Sequence, residues 1–435
     1  MVLFVHIYLC SHAISKIYSG QSDLRMSNNI IDTDSEDELP PGWEERVTFE
    51  GRVFYASHDQ QNTQWKHPVT GKEKYVRGEL PYGWERVIQD DGTIVYVDHI
   101  NKKTCFTDPR LAFAEPLKTS PKDFRQKFDG NSSALQILNG RDLTGKYAII
   151  TGASDGIGYE TARSLAFHGA TIIMACRNTE KAEKCKSSIL KDRPKATIEI
   201  LHLDLASLRS VKQFAEEYKR RAWPLHMLIL NAGVFGLPYI VTENDLEMTF
   251  QVNHLSHFYL TKLLYDLLVS SAPSRVVVVS SESHRFPKIH IVEDVCEDSL
   301  SLPKDKYSDM NAYNVSKLCN NLFSLHLNKL LAGKKVTSNS LHPGSCISTN
   351  IQRNWWLYKV VFFIVRPFTK SKQQGAATTV YCATHSDVEE IGGMYFNNCC
   401  PCQPSKESMD EQLAEKIWTV SETILQDRLA RLTSI

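Results

Sequence analysis

The sequence has no excess of either charge, because 50 lysines and arginines balance 50 aspartates and glutamates among its 435 residues. A protein that binds nucleic acid through its overall charge carries a clear basic excess. The balance excludes that class, and it equally excludes a protein that acts through a strongly acidic surface. Hydrophobic residues make up 42% of the chain, which is enough for a large core with smaller modules. Specificity must therefore come from local sites.

Long apolar runs are also lacking, since a helix needs about 20 such residues to cross a bilayer. The stretch at residues 2–10 is short and no basic residue precedes it, so it does not have the pattern of a secretion signal. A second stretch, residues 355–365, is interrupted by Lys359. No transmembrane helix is predicted. Met26 opens a more ordinary beginning, and we interpret residues 1–25 as an upstream extension or an alternative start.

Cysteines are too few and too scattered for a disulfide scaffold, and their number, 11, is odd. Reduced thiols predict a cytoplasmic or nuclear protein, while residence in a mitochondrion or the Golgi stays open. Cys399, Cys400 and Cys402 lie close together, but no second pair or histidine accompanies them at ligand spacing, so no metal site is predicted. An acidic run at residues 32–38 predicts that residues 1–38 form a disordered leader.

Behind this leader the chain repeats itself with a period of 41 residues, so that Trp43 and Tyr55 recur as Trp84 and Tyr96. A fixed period indicates two copies of one small unit. Short β-type runs between polar or glycine-containing turns predict three strands in each copy. A sheet of about 30 residues buries little surface, so one face needs an aromatic cluster. Trp43, Tyr55 and Pro68 supply it in the first copy.

The opposite face of the first copy, residues 39–72, is left to display Phe54 and Trp65. With these aromatics the repeat resembles a WW domain, which binds proline-rich peptides in a polyproline II conformation. The resemblance implies that Phe54 and Trp65 hold the prolines. It also implies that Ala56 and His58 line a pocket for a following tyrosine, as in a PPxY ligand. The partners expected are PPxY-containing signalling and transcription proteins.

The second copy, residues 80–113, has Val95 and Phe106 at the two groove positions. Because these side chains flatten the groove, we interpret this copy as a stabilising companion with little ligand affinity of its own. Residues 114–140 are polar and are predicted to be a linker.

Residues 141–435 alternate apolar strands with amphipathic helices, a pattern that predicts an α/β fold with a doubly wound parallel sheet. Strands are predicted at residues 147–151, 171–176, 198–203, 227–230, 275–280, 336–341 and 394–397. A glycine-rich turn follows the first strand and precedes a helix, which is where the backbone approaches a dinucleotide pyrophosphate. The turn consists of Gly152, Ala153, Ser154, Asp155, Gly156, Ile157 and Gly158.

Further along, Tyr313 and Lys317 stand four residues apart in a predicted helix, so their side chains share one face. A free phenol is a poor acid or base at neutral pH because its pKa is about 10. A nearby ammonium favours the phenolate, so we expect Lys317 to lower the pKa of Tyr313 and make it a general acid/base.

The glycine spacing joined to this Tyr-x-x-x-Lys pair resembles the short-chain dehydrogenase/reductase family. Further motifs of the family follow in order at Asp204, Asn231, Asn253, Ser281 and Pro343-Gly344. The resemblance implies a Rossmann fold and a bound nicotinamide dinucleotide, held by the glycine turn, Asn231 and Lys317, with Asp204 at the adenine.

In the reducing direction the resemblance also implies roles for the catalytic residues. Hydride passes from the nicotinamide to a carbonyl carbon, and Tyr313 donates the proton. Ser281 binds the substrate oxygen, Lys317 holds the ribose in addition to tuning the phenol, and Asn253 anchors a water in a proton relay.

Cofactor choice depends on the residue that follows the second strand, where NAD enzymes present an acid and NADP enzymes a base. Arg177 stands there without a competing acid, and it favours NADP(H). Asp155 argues against this choice, because many NADP-preferring relatives carry a basic residue at that position.

Substrate and overall role stay open at this point. Residues 354–367 are apolar and aromatic and follow Pro343-Gly344, which favours a substrate-covering loop and a bulky steroid- or retinoid-like alcohol or carbonyl. A core helix or a membrane-touching segment is the alternative. The whole chain is either an oxidoreductase placed by its peptide module, or an adaptor that sequesters PPxY partners with the dehydrogenase domain as a scaffold or redox sensor. The resemblance implies a role in apoptosis and growth control.

Overall fold

A computed structural model describes residues 38–76, 79–117, 126–287, 292–344 and 370–433. The predictions for residues 1–37 and for the apolar segment 354–367 lie outside these ranges. By its internal contacts the chain divides into two compact units, one ending at Tyr75 and the other beginning at Val76.

The first unit contains a three-stranded antiparallel sheet of β1 (Trp43–Val47), β2 (Val53–Ser57) and β3 (Asn62–Gln64), followed by the short β4 (Lys74–Tyr75). Side chains alternate along β2, so Val53, Tyr55 and Ser57 are buried while Phe54 and Ala56 lie on the other face. The pairing of Trp43 with Ser57 fixes the register. The predicted meander is thus present.

A second small antiparallel sheet opens the other unit, with β5 (Trp84–Ile88), β6 (Ile94–Asp98) and β7 (Lys103–Cys105). Its register repeats that of the first sheet, since Trp84 pairs with Asp98. A 3₁₀ turn (Pro109–Phe113) and the short β8 (Glu115–Pro116) follow. The module lies against the larger part of its unit, where the Arg193 guanidinium sits 5.3 Å from the centre of the Tyr82 ring.

Among the described residues the large sheet has eight strands, which are β9 (Tyr147–Thr151), β10 (Thr171–Cys176), β11 (Ile198–His202), β12 (Met227–Leu230), β13 (Ser274–Val279), β14 (Val336–His342), β15 (Tyr395–Asn397) and β16 (Cys400–Cys402). Their order in the sheet is β11-β10-β9-β12-β13-β14-β15-β16, and all neighbours pair in parallel except β15 and β16. From β9 the chain proceeds outward to β11 on one side of the sheet, and from β12 it proceeds outward to β16 on the other side. The direction of winding therefore reverses between β9 and β12. Such a reversal opens a crevice at the carboxyl ends of the strands.

Helices cover both faces of this sheet. They are α1 (Ala134–Ile137), α2 (Gly156–Phe167), α3 (Thr179–Asp192), α4 (Leu208–Arg220), α5 (Met248–Phe250), α6 (Ser256–Ser270), α7 (Glu297–Leu300), α8 (Asp309–Leu330), α9 (Lys372–Thr384) and α10 (Glu411–Thr433). One apolar cluster joins one face of the sheet to α4, α6, α8 and α10, and a second joins the other face to α1, α2, α3 and α9. No described helix is long and apolar enough to span a membrane.

The predicted fold class is confirmed, and the seven predicted strands of the large sheet are present within a residue or two of their expected ends. One strand and one helix of the large domain are among the elements that were not predicted. Strand β16 is short and antiparallel, and α1 lies inside the stretch interpreted as a linker. Its residues Ala134 and Ile137 are buried in the core of the large domain, so the end of that stretch is part of the fold. This short apolar segment was not recognised as a helix in the sequence because polar residues, including its cap Ser133, flank it.

Candidate active site and peptide groove

The glycine turn between β9 and α2 is closely packed. Gly152 has a φ of +69° and Gly156 one of +56°, a region that side chains other than hydrogen rarely adopt. A Cβ placed on Gly158 would lie 2.5 Å from the carbonyl oxygen of Gly152. The main chain at the N-terminus of α2 is therefore not covered by side chains. Its N–H groups and the helix dipole suit a pyrophosphate. These residues fit the dinucleotide expected there.

Asp155 within this turn is the cap of α2, since its Oδ1 accepts a hydrogen bond of 2.7 Å from the Gly156 amide. Its Oδ2 lies 2.5 Å from the Lys181 Nζ, and the Lys372 Nζ is 3.8 Å from its Oδ1. The acid that argued against NADP(H) is thus paired with two lysines. Its negative charge is largely neutralised within the protein.

The other predicted dinucleotide residues lie at the carboxyl ends of neighbouring strands. Arg177 is exposed directly after β10, and half-buried Asp204 follows β11, where it accepts a 2.9 Å hydrogen bond from the Ala206 amide. Asn231 follows β12 and donates 2.9 Å to the Thr151 carbonyl, which ties two strand ends together. Since parallel strands end at one edge of a sheet, the structure brings these side chains to one side of it.

Tyr313 lies in the first turns of α8, half-buried, with its ring edge-on to Phe235 at 4.8 Å between ring centres. The Ser281 side chain lies close enough to the phenol to influence its pKa, and its hydroxyl donates a hydrogen bond of 3.2 Å to the Ser283 Oγ. Burial raises the pKa of Tyr313 to about 12, although the Ser281 side chain lowers it in part. The expectation of a lowered phenol pKa is wrong for the protein alone.

The reason lies in the position of Lys317. Its Nζ donates a 3.0 Å hydrogen bond to the Val279 carbonyl and stands 5.4 Å from the centre of the Tyr313 ring. Burial lowers the pKa of Lys317 to about 8, because a desolvated ammonium is disfavoured. The same desolvation disfavours a phenolate. The four-residue spacing placed both groups on one face, but it could not show that burial acts against both charged forms.

Asn253 lies in a π-helical turn (Gln251–Leu255) between α5 and α6, a distortion that often marks functional sites. Its Oδ1 accepts a hydrogen bond of 2.7 Å from the Val234 amide, and its Nδ2 donates one of 3.0 Å to the Ser316 Oγ. Ser316 in turn donates 2.7 Å to the Tyr313 carbonyl. The side chain of Asn253 thus fixes the helix turn that carries Tyr313, while the predicted water relay stays a prediction.

Two buried histidines beside Asn253 were not predicted. His257 contacts the Asn253 carbonyl oxygen through Nδ1 at 3.2 Å and the Thr151 Oγ1 through Nε2 at 3.0 Å. His254 contacts the Ser421 Oγ at 3.0 Å and thereby reaches α10. Burial lowers the pKa of His257 to about 3 and that of His254 to about 4, so both are neutral. In the sequence, two histidines three residues apart in an apolar segment were the available indication of this buried pair.

The first small sheet presents the predicted groove. Phe54 and Trp65 stand edge to face with 6.1 Å between ring centres, and Trp65 is 43% exposed. Ala56 lies on the same face of β2, and His58 at its end pairs with Glu44 at 3.4 Å. The four predicted peptide-binding residues therefore lie along one surface.

The opposite face of the first small sheet carries a buried histidine whose role was not predicted. His67 is 1% exposed, packs edge-on against Tyr55 with 5.1 Å between ring centres, and accepts from the Val69 and Thr70 amides through Nδ1. It holds the turn after β3 against the buried aromatic, so its role is structural.

The second sheet keeps part of this arrangement. His99 pairs with Glu85 at 2.7 Å, as His58 does with Glu44. At the groove positions, however, Val95 is 9% exposed and Phe106 is 75% exposed. An aromatic pair facing a ligand is thus lacking at these two positions.

Comparisons with known proteins agree with this geometry. A family model described as short chain dehydrogenase matches residues 146–293, and one described as WW domain matches residues 39–68. A WW domain-containing oxidoreductase of Gallus gallus is 57% identical over 92% of this chain and 97% of its own length. Retinol dehydrogenase 12 of Mus musculus is 40% identical over 71% of this chain and 94% of its own. A crystal structure of an uncharacterized protein from Mycobacterium Paratuberculosis has a TM-score of 0.54 and 31% identity, covering 68% of this chain and 98% of that one.

The parallel sheet, the glycine turn and the Tyr313–Ser281 site define an oxidoreductase of the short-chain dehydrogenase class that carries a WW domain ahead of its catalytic domain. Within that class the chain belongs to the WW domain-containing oxidoreductase family.

Proposed function

We propose that the protein is an NADP-dependent oxidoreductase for an apolar, steroid- or retinoid-like alcohol or carbonyl, recruited to PPxY-containing proteins by its first WW domain. The observation that carries the catalytic part is that Ser281 and Lys317 both lie beside the Tyr313 ring, at the carboxyl end of the sheet that holds the glycine turn. The dinucleotide, when bound, supplies the hydride.

A pKa of about 12 sets the protonation state in which the Tyr313 phenol meets a substrate. At neutral pH Tyr313 is protonated, so it is ready to donate its proton to a carbonyl oxygen as charge develops there. The Ser281 hydroxyl, which donates to the Ser283 Oγ in the protein alone, would turn to donate a second hydrogen bond to the same oxygen. In the reducing direction the site therefore needs no prior deprotonation. The oxidising direction requires the phenolate, which burial disfavours.

Lys317 and Asn253 would act around this pair. Lys317 keeps its charge at neutral pH because its pKa is about 8, and it would hold the nicotinamide ribose. Asn253 would keep α8 in place through Ser316 and anchor the water of a proton relay. A neighbouring glycine makes room for both, since a Cβ on Gly233 would lie 3.3 Å from Asn253 Oδ1 and 3.6 Å from Lys317 Nζ.

A preference for NADP(H) is supported by Arg177, which is exposed at the end of β10 where a ribose 2′-phosphate would lie. The pairing of Asp155 with Lys181 and Lys372 removes the main electrostatic objection. The apolar substrate class is supported by the likeness to a retinol dehydrogenase. Residence in the cytoplasm and nucleus, and a role in apoptosis and growth control, belong to the same proposal.

The alternative function is an adaptor that sequesters PPxY partners, with the dehydrogenase domain as a scaffold or redox sensor. The open groove of Phe54 and Trp65 supports it. The two functions are separable by experiment. A screen of apolar alcohols and carbonyls with NADPH and NADH should find turnover that Tyr313→Phe abolishes. If no substrate shows hydride transfer that depends on Tyr313, while PPxY peptides bind the native protein better than Trp65→Ala, the adaptor function stands alone.

A further inference from the structure

One wall of the aromatic groove carries a charge. The Arg52 guanidinium carbon lies 4.0 Å from the centre of the Trp65 ring, a cation–π contact that desolvates one side of the indole. An Nη2 atom of the same guanidinium is 3.1 Å from the Glu73 Oε2, and the Arg52 side chain is 45% exposed. A fixed cation with remaining N–H donors therefore borders the ring that would hold a proline.

Its place along the groove follows from strand geometry. Arg52 directly precedes β2, and Arg52, Phe54 and Ala56 alternate with the buried residues Val53 and Tyr55, so they follow one another on one face. His58 extends this row beyond Ala56. Neighbours in such a row are about 7 Å apart, because a strand rises about 3.4 Å per residue. Arg52 and His58 therefore stand at opposite ends of the groove.

The polarity of the ligand follows from this order. In the proposed complex the prolines lie at Phe54 and Trp65, and the tyrosine that follows them lies at Ala56 and His58. The residues ahead of the prolines must then extend toward Arg52. A polyproline II peptide rises about 3.1 Å per residue, so about 7 Å corresponds to roughly two residues.

We propose that the first WW domain prefers PPxY ligands that carry an acidic residue one or two positions ahead of the first proline, and that Arg52 recognises this acid. The proposal rests on the proposed peptide-binding function and specifies its partners. A carboxylate there gains a charge-assisted hydrogen bond from a guanidinium that is already held in place by Trp65.

Charges elsewhere on the face agree with this polarity. At the tyrosine end His58 pairs with Glu44, and Glu44 also pairs with Arg46. That end therefore offers no unopposed cation to an acid placed after the tyrosine. At the other end Glu73 competes with the ligand for Arg52, which limits the gain. An exposed pair of this kind contributes up to about 1 kcal/mol, or about fivefold in affinity.

The test uses the full-length protein and three fluorescent PPxY peptides that differ only in one aspartate, placed ahead of the prolines, placed after the tyrosine, or absent. Fluorescence anisotropy should show that the aspartate ahead of the prolines tightens binding about threefold to fivefold at low salt. High salt should remove the gain. The aspartate after the tyrosine should give none.

Three variants decide whether Arg52 is responsible. Arg52→Gln should lose the preference while it binds the neutral peptide as before, whereas Glu73→Gln should increase the preference by removing the competing acid. Arg46→Gln, on the same face but paired with Glu44, is the matched control and should keep the preference.

If the neutral peptide binds but the leading aspartate brings no gain, or if Arg52→Gln keeps the gain, the proposal is overturned, and in the second case another group recognises the acid. If no PPxY peptide binds the native protein, the underlying peptide-binding function fails as well. Glu73→Gln leaves Arg52 in place, so the question remains decidable should Arg52→Gln fail to fold.

Discussion

At the carboxyl end of the large sheet Lys317 and Asn253 are buried and hydrogen-bonded within the protein, whereas the two groove aromatics of the first small sheet reach the surface. Lys317 is 3% exposed and Asn253 is fully buried, while Trp65 is 43% exposed. Burial changes the chemistry of the first site by shifting pKa values. The groove of the first small sheet lies near the solvent instead. Its affinity for a peptide should depend on the few side chains that project from the sheet.

We also expect the two sites to be energetically independent of each other. The catalytic groups depend on a network that spans β9, the π-helical turn, α8 and α10, so a change in one of them affects the others. The groove depends on two rings and their neighbours on a separate sheet. A substitution at one site should therefore leave the other unaffected, and the predictions below test this independence from the largest effect to the smallest.

Tyr313→Phe should reduce the hydride-transfer rate by about 10²–10⁴-fold, because it removes the proton donor. The affinity for a PPxY peptide should not change. Steady-state turnover and peptide anisotropy on the same preparation check both. Tyr159→Phe, which removes a hydroxyl bonded to Ser188 on the surface, is the control and should retain activity. Equal loss in both tyrosine variants would contradict the assignment.

Gly158→Ala should weaken dinucleotide binding by about 10²-fold, since the new methyl group would lie 2.5 Å from the Gly152 carbonyl oxygen and displace the turn. Quenching of protein fluorescence by NADPH measures this affinity. Gly333→Ala serves as the control, because a Cβ there meets no atom within 4 Å, although the φ of +76° makes an alanine costly at that position too. Unchanged NADPH affinity in Gly158→Ala would show that the turn does not form the dinucleotide site.

Trp65→Ala should weaken PPxY binding by about 30-fold, the usual effect of removing an aromatic anchor, and should leave turnover intact. Phe106→Ala in the second sheet is the matched control and should change neither quantity. A comparable loss of peptide affinity in Phe106→Ala would mean that the second module also binds ligand and that the flattened groove was misinterpreted.

Acid should destabilise the large domain more than the first module. His254 has a folded pKa of about 4 against an ordinary value of 6.5, so the unfolded chain binds more protons between these values. Stability should therefore fall as pH drops from about 6.5 to about 4, by up to about 1.4 kcal/mol per pH unit for each such histidine. Urea unfolding followed at several pH values measures the slope.

His254→Asn should make that slope shallower, and retention of the full slope would assign the acid sensitivity to other groups. The variant loses a contact with Ser421, so its stability at neutral pH falls as well. The change of slope, and not the absolute stability, is therefore the decisive quantity.

Much of the catalytic end could be predicted from the sequence because its residues occupy fixed positions in a βαβ pattern. Gly152 and Gly158 follow a strand, Asn231 and Ser281 end strands, and parallel strands end at one edge. His254 and His257 were missed because a histidine in an apolar helix gives no sign of its partners. Residues 134–138 were missed because four apolar residues interrupted by Gln136 are too few for a periodic pattern.

The sequence by itself determined the two repeated small sheets, where the parallel strands lie along the chain, and the positions of Tyr313, Lys317, Phe54 and Trp65, because spacing and alternation are properties of the chain. Only the tertiary structure decided how those groups behave. The pKa of Tyr313 rises instead of falling, Lys317 bonds a main-chain carbonyl, Asp155 is neutralised by two lysines, and Arg52 covers one side of the groove tryptophan. Desolvation and charge pairing depend on which distant residues meet in space, and local sequence does not contain that information.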